Sequence, residues 1–201
     1  MSAFSLPLFP LNIVVCPGGL LPLRIFEARY LDMVKDCMRN STMFGLVAAL
    51  PDEQLSHLPF ARIGTAFTIM DADVPSPGLM MIRCCGQHRF EVNSALQQKD
   101  GLWIGQVKDI PNDLAMQIPD DLSIARTGLQ NVIDSFDEQG IAEAEIPLIK
   151  PYQLEDCAWV ANRWVELLDL PLIQKQRLLA LDSALVRLEL IQDFLLSNNQ
   201  K

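Results

Sequence analysis

Cys84, Cys85 and His88 put two thiols and an imidazole within five residues. A thiol nucleophile with its general base uses that combination, and so does a metal site. Adjacent strand residues point to opposite faces, however, so Cys84 and Cys85 are poorly placed to share one ion. His88 alternates with Phe90 and Val92 and is read as packed or hydrogen-bonded on their inward face. His57 lies in a loop-like stretch between Pro51 and Pro59, where a solvated imidazole is the ordinary outcome. Carboxylates pair at Asp120-Asp121, Asp137-Glu138, Glu143 with Glu145, and Glu155-Asp156. Each reads as a solvated helix end or face, the first also complementing a helix dipole. None of the ten glycines precedes a lysine and no G-x-G-x-x-G occurs, so phosphate-cradling loops lack their usual signature. No Ser-Lys dyad is marked. No catalytic, metal-ligating or cofactor-binding residue is therefore assigned, and the expectation is a non-enzyme.

Trp159 suggests recognition instead. It falls off the apolar stripe of its helix, on the side of Asn162, Arg163 and Glu166. A partly exposed indole four residues before Arg163 could stack on the guanidinium or anchor a partner, which makes Trp159 and Arg163 the candidate partner-binding residues. The plainer alternative is that another helix or the sheet covers Trp159.

The elements that would position these residues fall into two halves. Up to residue 110 the chain reads as short strands: Ile13–Cys16, Leu20–Phe26, Met43–Leu50, Ala61–Ala72, Leu79–Cys85, His88–Val92 and Trp103–Ile110. Turn signals such as Pro17-Gly18-Gly19 separate them, and Gly86-Gln87 is either a tight turn or a bulge. One amphipathic helix, Glu27 to Arg39, is inserted, with Tyr30, Leu31, Val34, Cys37 and Met38 on its apolar side. After Pro111 the period is helical. Asp120 or Asp121 can cap a helix that presents Leu122, Ala125, Leu129, Val132, Ile133 and Phe136 and ends at Gly140. A second helix carries Leu154, Cys157, Ala161, Trp164 and Val165, and a third starts at Pro171. Asp182 caps a last one, Ala184 to Leu196, apolar nearly all round and so expected to be buried. The expected architecture is α+β: an antiparallel β-barrel over 1–110 with one inserted helix, then a helical bundle over 111–201.

Charge follows the same division. The chain has 201 residues and a formal net charge of −9. Residues 1–110 hold 9 Lys/Arg against 10 Asp/Glu, and residues 111–201 hold 7 against 15, a net of −8. Such acidity argues against gripping a phosphate backbone. No charge precedes Arg24, but prolines and glycines interrupt every apolar run before it, so neither a leader nor a membrane span is expected. Five cysteines without C-x-x-C spacing suggest reduced thiols in the cytoplasm.

Several segments resemble a known family. Leu6-Pro7-Leu8-Phe9-Pro10-Leu11, Val14-Val15-Cys16-Pro17-Gly18 and Leu21-Pro22-Leu23-Arg24-Ile25-Phe26-Glu27-Ala28-Arg29-Tyr30 resemble the opening of the Lon protease N-terminal, substrate-binding domain. The likeness continues in Ile63-Gly64-Thr65, in Gly86-Gln87-His88-Arg89-Phe90 and, late, in Leu170-Pro171-Leu172 and Arg187-Leu188-Glu189-Leu190. Between the fourth and fifth strands, Pro75-Ser76-Pro77-Gly78 replaces the Asp-Gly often found in the family, so that hairpin must turn differently.

The resemblance implies a PUA-like barrel followed by helices, and a domain that engages exposed apolar peptide segments. It also implies a free-standing recognition domain, since the chain stops where the protease family continues into its ATPase and Ser-Lys protease. Phe26 and Tyr30 are expected to pin the inserted helix to the sheet, Glu27 to favour its N-terminus, and Arg29 to pair with nearby carboxylates or carbonyls, all four being structural rather than contact residues. The functional expectation is a non-catalytic binder of unfolded or extended polypeptide, or of one dedicated partner, through an apolar groove between barrel and helices, as an adaptor or holdase. No cofactor, nucleic acid or membrane partner is expected. The competing readings are an RNA-binding PUA-like domain and a thiol hydrolase built on Cys84 or Cys85 with His88.

Overall fold

The computed structural model describes residues 3–50, 58–143 and 145–198, so His57 lies outside the described residues. Six strands come first: β1 (Phe4–Leu11), β2 (Leu20–Ile25), β3 (Phe44–Ala48), β4 (Ile63–Ser76), β5 (Leu79–Gln97) and β6 (Trp103–Asp109), with α1 (Ala28–Asn40) inserted after β2. A short 3-10 turn, Asp120–Leu122, leads into α2 (Ser123–Glu138), followed by α3 (Cys157–Leu167), α4 (Leu172–Ala180) and α5 (Ala184–Asn198).

The sheet order is β2-β5-β4-β3-β1-β6, and an additional β5–β6 pairing closes five of the strands into a ring with β2 on its flank. The α+β class holds. One pair departs from the expected antiparallel pattern, because β1 runs parallel to β3, with Leu8 opposite Gly45 and Leu11 opposite Ala48. Alternation sends Leu6 and Leu8 into one cluster with Val47, Ala66, Phe90 and Val107, contributed by all five ring strands. Phe9 points the other way, into the cluster that α1 covers with Tyr30, Met33 and Val34.

Three local readings change, and the open choice at Gly86-Gln87 is decided. Ile13–Cys16 is not a strand; the first strand lies earlier, in the run containing Pro7 and Pro10. The strand-breaking tendency of those prolines is overridden by burial of Leu6, Leu8 and Phe9. Gly86-Gln87 is a bulge within one 19-residue strand: His88 faces Ala66 and Gly86 faces Phe67, which leaves Gln87 as the extra residue. Phe26 is 67% exposed and does not pin α1. It precedes an extended Glu27 (φ −79°, ψ 132°) and so is not on the helix, where an i, i+4 relation with Tyr30 would apply. Of the two aromatics only Tyr30 helps to pin α1, stacked on Phe9 with centroids 3.9 Å apart. Met38, counted with the apolar side, is exposed.

Glu27 makes no side-chain cap and instead pairs with Arg29 at 2.7 Å, while Arg29 also donates to the Gly101 carbonyl at 3.0 Å. The β4–β5 hairpin turns on Pro77-Gly78 with Gly78 at φ 80°, the backbone a type II turn requires at its third position.

The helical half has its own corrections. Neither Asp120 nor Asp121 caps α2; Gln192 of α5 reaches over, accepting from Ala125 N at 3.3 Å and donating to Asp121 O at 2.6 Å. Ser183, not Asp182, supplies the oxygen at the start of α5, accepting from Val186 N at 3.3 Å. That helix buries Ala184, Leu188 and Ile191 but leaves Val186 and Leu190 exposed. Val14, Cys16, Ala48 and Ala61 join Leu129, Trp164 and Leu188 in one core cluster, so the helices pack directly on one end of the barrel. Among the described residues no helix is long and apolar enough to cross a membrane.

Candidate functional site

A buried polar joint holds barrel and helices together. On one side of it, the Pro17-Gly18-Gly19 turn, with Gly18 at φ 77°, docks on the bulge through Gly18 N to Gly86 O (2.8 Å) and Gly86 N to Gly19 O (2.9 Å). The same turn is gripped by α3. Arg163 donates to Pro17 O and to Glu166, both at 2.9 Å, and Glu166 accepts from Cys16 N at 2.8 Å. Burial lifts the Glu166 carboxyl to about 7, against the pull of Arg163, the Cys16 N–H and Lys175.

On the other side, Asp113 accepts from Arg89 at 3.3 Å and from Arg187 at 2.9 Å. The two guanidiniums also donate to Leu178, Leu179 and Leu181 carbonyls at 2.6–3.0 Å. Those carbonyls are the open C-terminal end of α4, where cations are favoured by the helix dipole. Arg187 further donates to Asn162 Oδ1 at 2.9 Å, linking the two sides.

The joint absorbs the pair singled out for partner contact. Trp159 is 8% exposed and Arg163 fully buried. The stacking is present, with the guanidinium carbon 5.8 Å from the ring centroid, but the indole is covered, the plainer of the two readings, and not partly exposed. Asp156 caps α3 by accepting from Trp159 N at 2.7 Å and turns the indole inward beside Tyr152. The thiol cluster is also dispersed. Cys84 is buried and Cys85 half-buried, as opposite faces demand, and burial raises both thiols, Cys84 to about 12. A nucleophilic thiolate needs the opposite shift. His88 Nε2 lies 2.8 Å from Asp109 Oδ1 rather than serving a thiol. No three His, Cys, Asp or Glu side chains among the described residues are placed to hold a metal ion.

Arg89, Asp113 and Arg187 were not singled out from composition or spacing. Arg187 alone left a signal: it is the one cation in a helix apolar nearly all round.

The joint forms the floor of a cleft of about 650 Å³ between the end of the barrel and the start of α5. Ile110, Leu114 and Met116 of the segment leaving the barrel form one wall and Ala184 and Leu185 the other. Leu114 is 88% exposed and Met116 is also open to solvent. Smaller hollows lie between α1 and β4, beside Met38 and Met70 (about 300 Å³), and between α4 and α5, beside Leu170 and Leu190 (about 220 Å³).

Comparison with known proteins places these features in context. The family described as the ATP-dependent protease La (LON) substrate-binding domain matches residues 5–197. A crystal structure of a Lon N-terminal domain protein from Xanthomonas campestris is similar, with 32% identity and a TM-score of 0.75 over 94% of this chain and 96% of that one. The N-terminal domain of the Mycobacterium avium complex Lon protease shares the fold at 17% identity, with a TM-score of 0.65 over 94% and 97% of the two chains. Among curated proteins, cereblon of Danio rerio is 25% identical over 125 residues; the match takes in 60% of this chain but 28% of cereblon.

Proposed function

Since the chain belongs to the ATP-dependent protease La (Lon) substrate-binding domain family, we propose that it recognises protein substrates as a non-catalytic module, an adaptor or holdase for extended or unfolded polypeptide. The clients occupy the cleft at the barrel–helix joint. The barrel part, 1–110, and the helical part, 111–201, act as one unit there, because Arg89 and Ile110 of the first and Leu114, Met116, Ala184 and Leu185 of the second line the same cleft. Five unpaired cysteines suit a reducing compartment such as the cytoplasm.

One observation carries the placement. Leu114 and Met116 are presented to solvent at the rim of the largest of the three hollows described, over a floor fixed by buried ion pairs. Exposed apolar side chains beside a concavity mark interaction sites, and methionine adapts to varied partners. A fixed floor keeps the walls apart without a client, which lowers the ordering cost of binding.

The test is fluorescence anisotropy with a labelled, permanently unfolded polypeptide, such as a reduced and carboxymethylated protein. Leu114→Asp with Met116→Asp is expected to weaken binding at least about tenfold, ~1.4 kcal/mol, with little change in melting temperature because both side chains are exposed. Full affinity in the double variant would put the client elsewhere. Failure of the unaltered protein to bind any unfolded chain would remove the recognition reading itself.

A further inference from the structure

The charges around the cleft are lopsided. Arg89, the cation among its lining residues, is buried, and its terminal nitrogens are occupied by Leu179 O, Leu181 O and Asp113. Arg187 beneath it is committed in the same way, to Asp113, Asn162 and the carbonyls at the end of α4. Neither guanidinium is left to meet a ligand. Asp182, at the mouth, is exposed and forms no ion pair within 4 Å among the described residues. Its field reaches inward to Arg89, but its carboxylate faces water. It belongs to the half of the chain that carries −8. A ligand entering the cleft therefore meets apolar walls and one uncommitted charge, which is negative.

We propose that the cleft selects extended client segments in which an apolar anchor is flanked by lysine or arginine. This rests on the reading of the cleft as the client site and names the class of client. The anchor packs against Leu114, Met116 and Leu185, and the flanking cation sits at Asp182. A segment flanked by glutamate or aspartate meets like charge at the same point and is disfavoured. An exposed charge pair is weak and screened by salt, so the selection is several-fold, and largest at low ionic strength.

The experiment uses the full chain and three labelled peptides in anisotropy titrations. They share a length: an apolar core flanked by lysines, the same core flanked by glutamates, and a lysine-flanked Gly/Ser core. At low salt the first is expected to bind about fivefold tighter than the second, the preference fading near 0.5 M salt as the Debye length shrinks. Asp182→Lys is expected to abolish or invert the preference, with Asp182→Asn intermediate; both sit at an exposed position, and the melting temperature verifies that they fold. Equal affinity for the first two peptides overturns the charge selection while leaving the client site standing. A preference that survives Asp182→Lys overturns its assignment to this mouth. Equal binding of the Gly/Ser peptide overturns the requirement for an apolar anchor. If no peptide binds, the reading of the cleft fails, and the selection with it.

Discussion

Arg187 Nη1 stands 2.9 Å from Asp113 Oδ2, with Arg187 buried and 9% of the Asp113 side chain exposed, which ties α5 to the segment leaving the barrel. Asp113 is also the carboxylate that meets Arg89. Removing it strands two guanidiniums, and breaking a buried pair from one side costs about 3–5 kcal/mol. Asp113→Ala is therefore expected to lower the melting temperature by roughly 10 °C. A change under about 3 °C in a calorimetric scan would show that the α4 carbonyls hold the arginines unaided.

Glu166 makes a pH prediction. In the fold its carboxyl is lifted to about 7, chiefly by burial, from an ordinary 4.5. Between those values the folded chain binds more protons than the unfolded one. This contribution is fully present below pH 4.5 and is lost as pH rises through about 7, a change of up to about 3 kcal/mol. Urea titrations of the protein and of Glu166→Gln across pH 4.5–7.5 isolate it: the difference between the two curves should slope across this window and flatten above it. A flat difference throughout would place the Glu166 pKa at its ordinary value.

Trp159 separates structural from contact roles. Because it is buried under Tyr152 and beside Arg163, Trp159→Ala is expected to cost about 3–5 kcal/mol, while the folded fraction of the variant binds the unfolded probe with unchanged affinity. Lost affinity at unchanged stability would restore the partner-contact role.

Two glycines, one in the β5 bulge and one just after α2, give expectations of different size. A Cβ at Gly86 would lie 2.6 Å from the Cys16 carbonyl oxygen, a backbone atom held in the docked turn, so Gly86→Ala should cost at least about 2 kcal/mol. At Gly140 a Cβ meets nothing within 4 Å and only the positive φ of 66° is strained, so Gly140→Ala should cost about 1–2 kcal/mol. Urea midpoints of the two variants rank them, and a milder Gly86→Ala would mean that the turn can lift from the bulge.

Much of the fold was legible because periodicity reports burial directly. The short apolar runs between turn signals in the first half and the three-four spacing of α1 and α2 required no knowledge of neighbours. What escaped depended on partners far along the chain. Phe26 looked like a helix residue until Glu27 proved extended, and whether Trp159 was open or covered turned on elements elsewhere in the chain. Arg89 and Arg187 are ninety-eight positions apart, and nothing local says that they share Asp113. Exposure of Leu114 was equally invisible, since an apolar residue in a connector reads as either buried or open until its surroundings are known. The caps followed the same rule: Asp156 serves its own helix, whereas α2 borrows Gln192.

The grip of Glu166 on Cys16 spans 150 residues of chain, and this sets an order of events during synthesis. At about 5–20 residues per second, the Pro17-Gly18-Gly19 turn leaves the ribosome roughly 7–30 s before the helix that clamps it. β1 likewise waits for β6, as the Ser5–Gln106 hydrogen bond across 101 residues shows. This early segment of the domain is thus among the last to be sealed, and a nascent chain halted before α3 would present Val14 and Cys16 uncovered. On the function proposed above, a module that binds exposed apolar segments passes, while it is being made, through a stage in which it presents one.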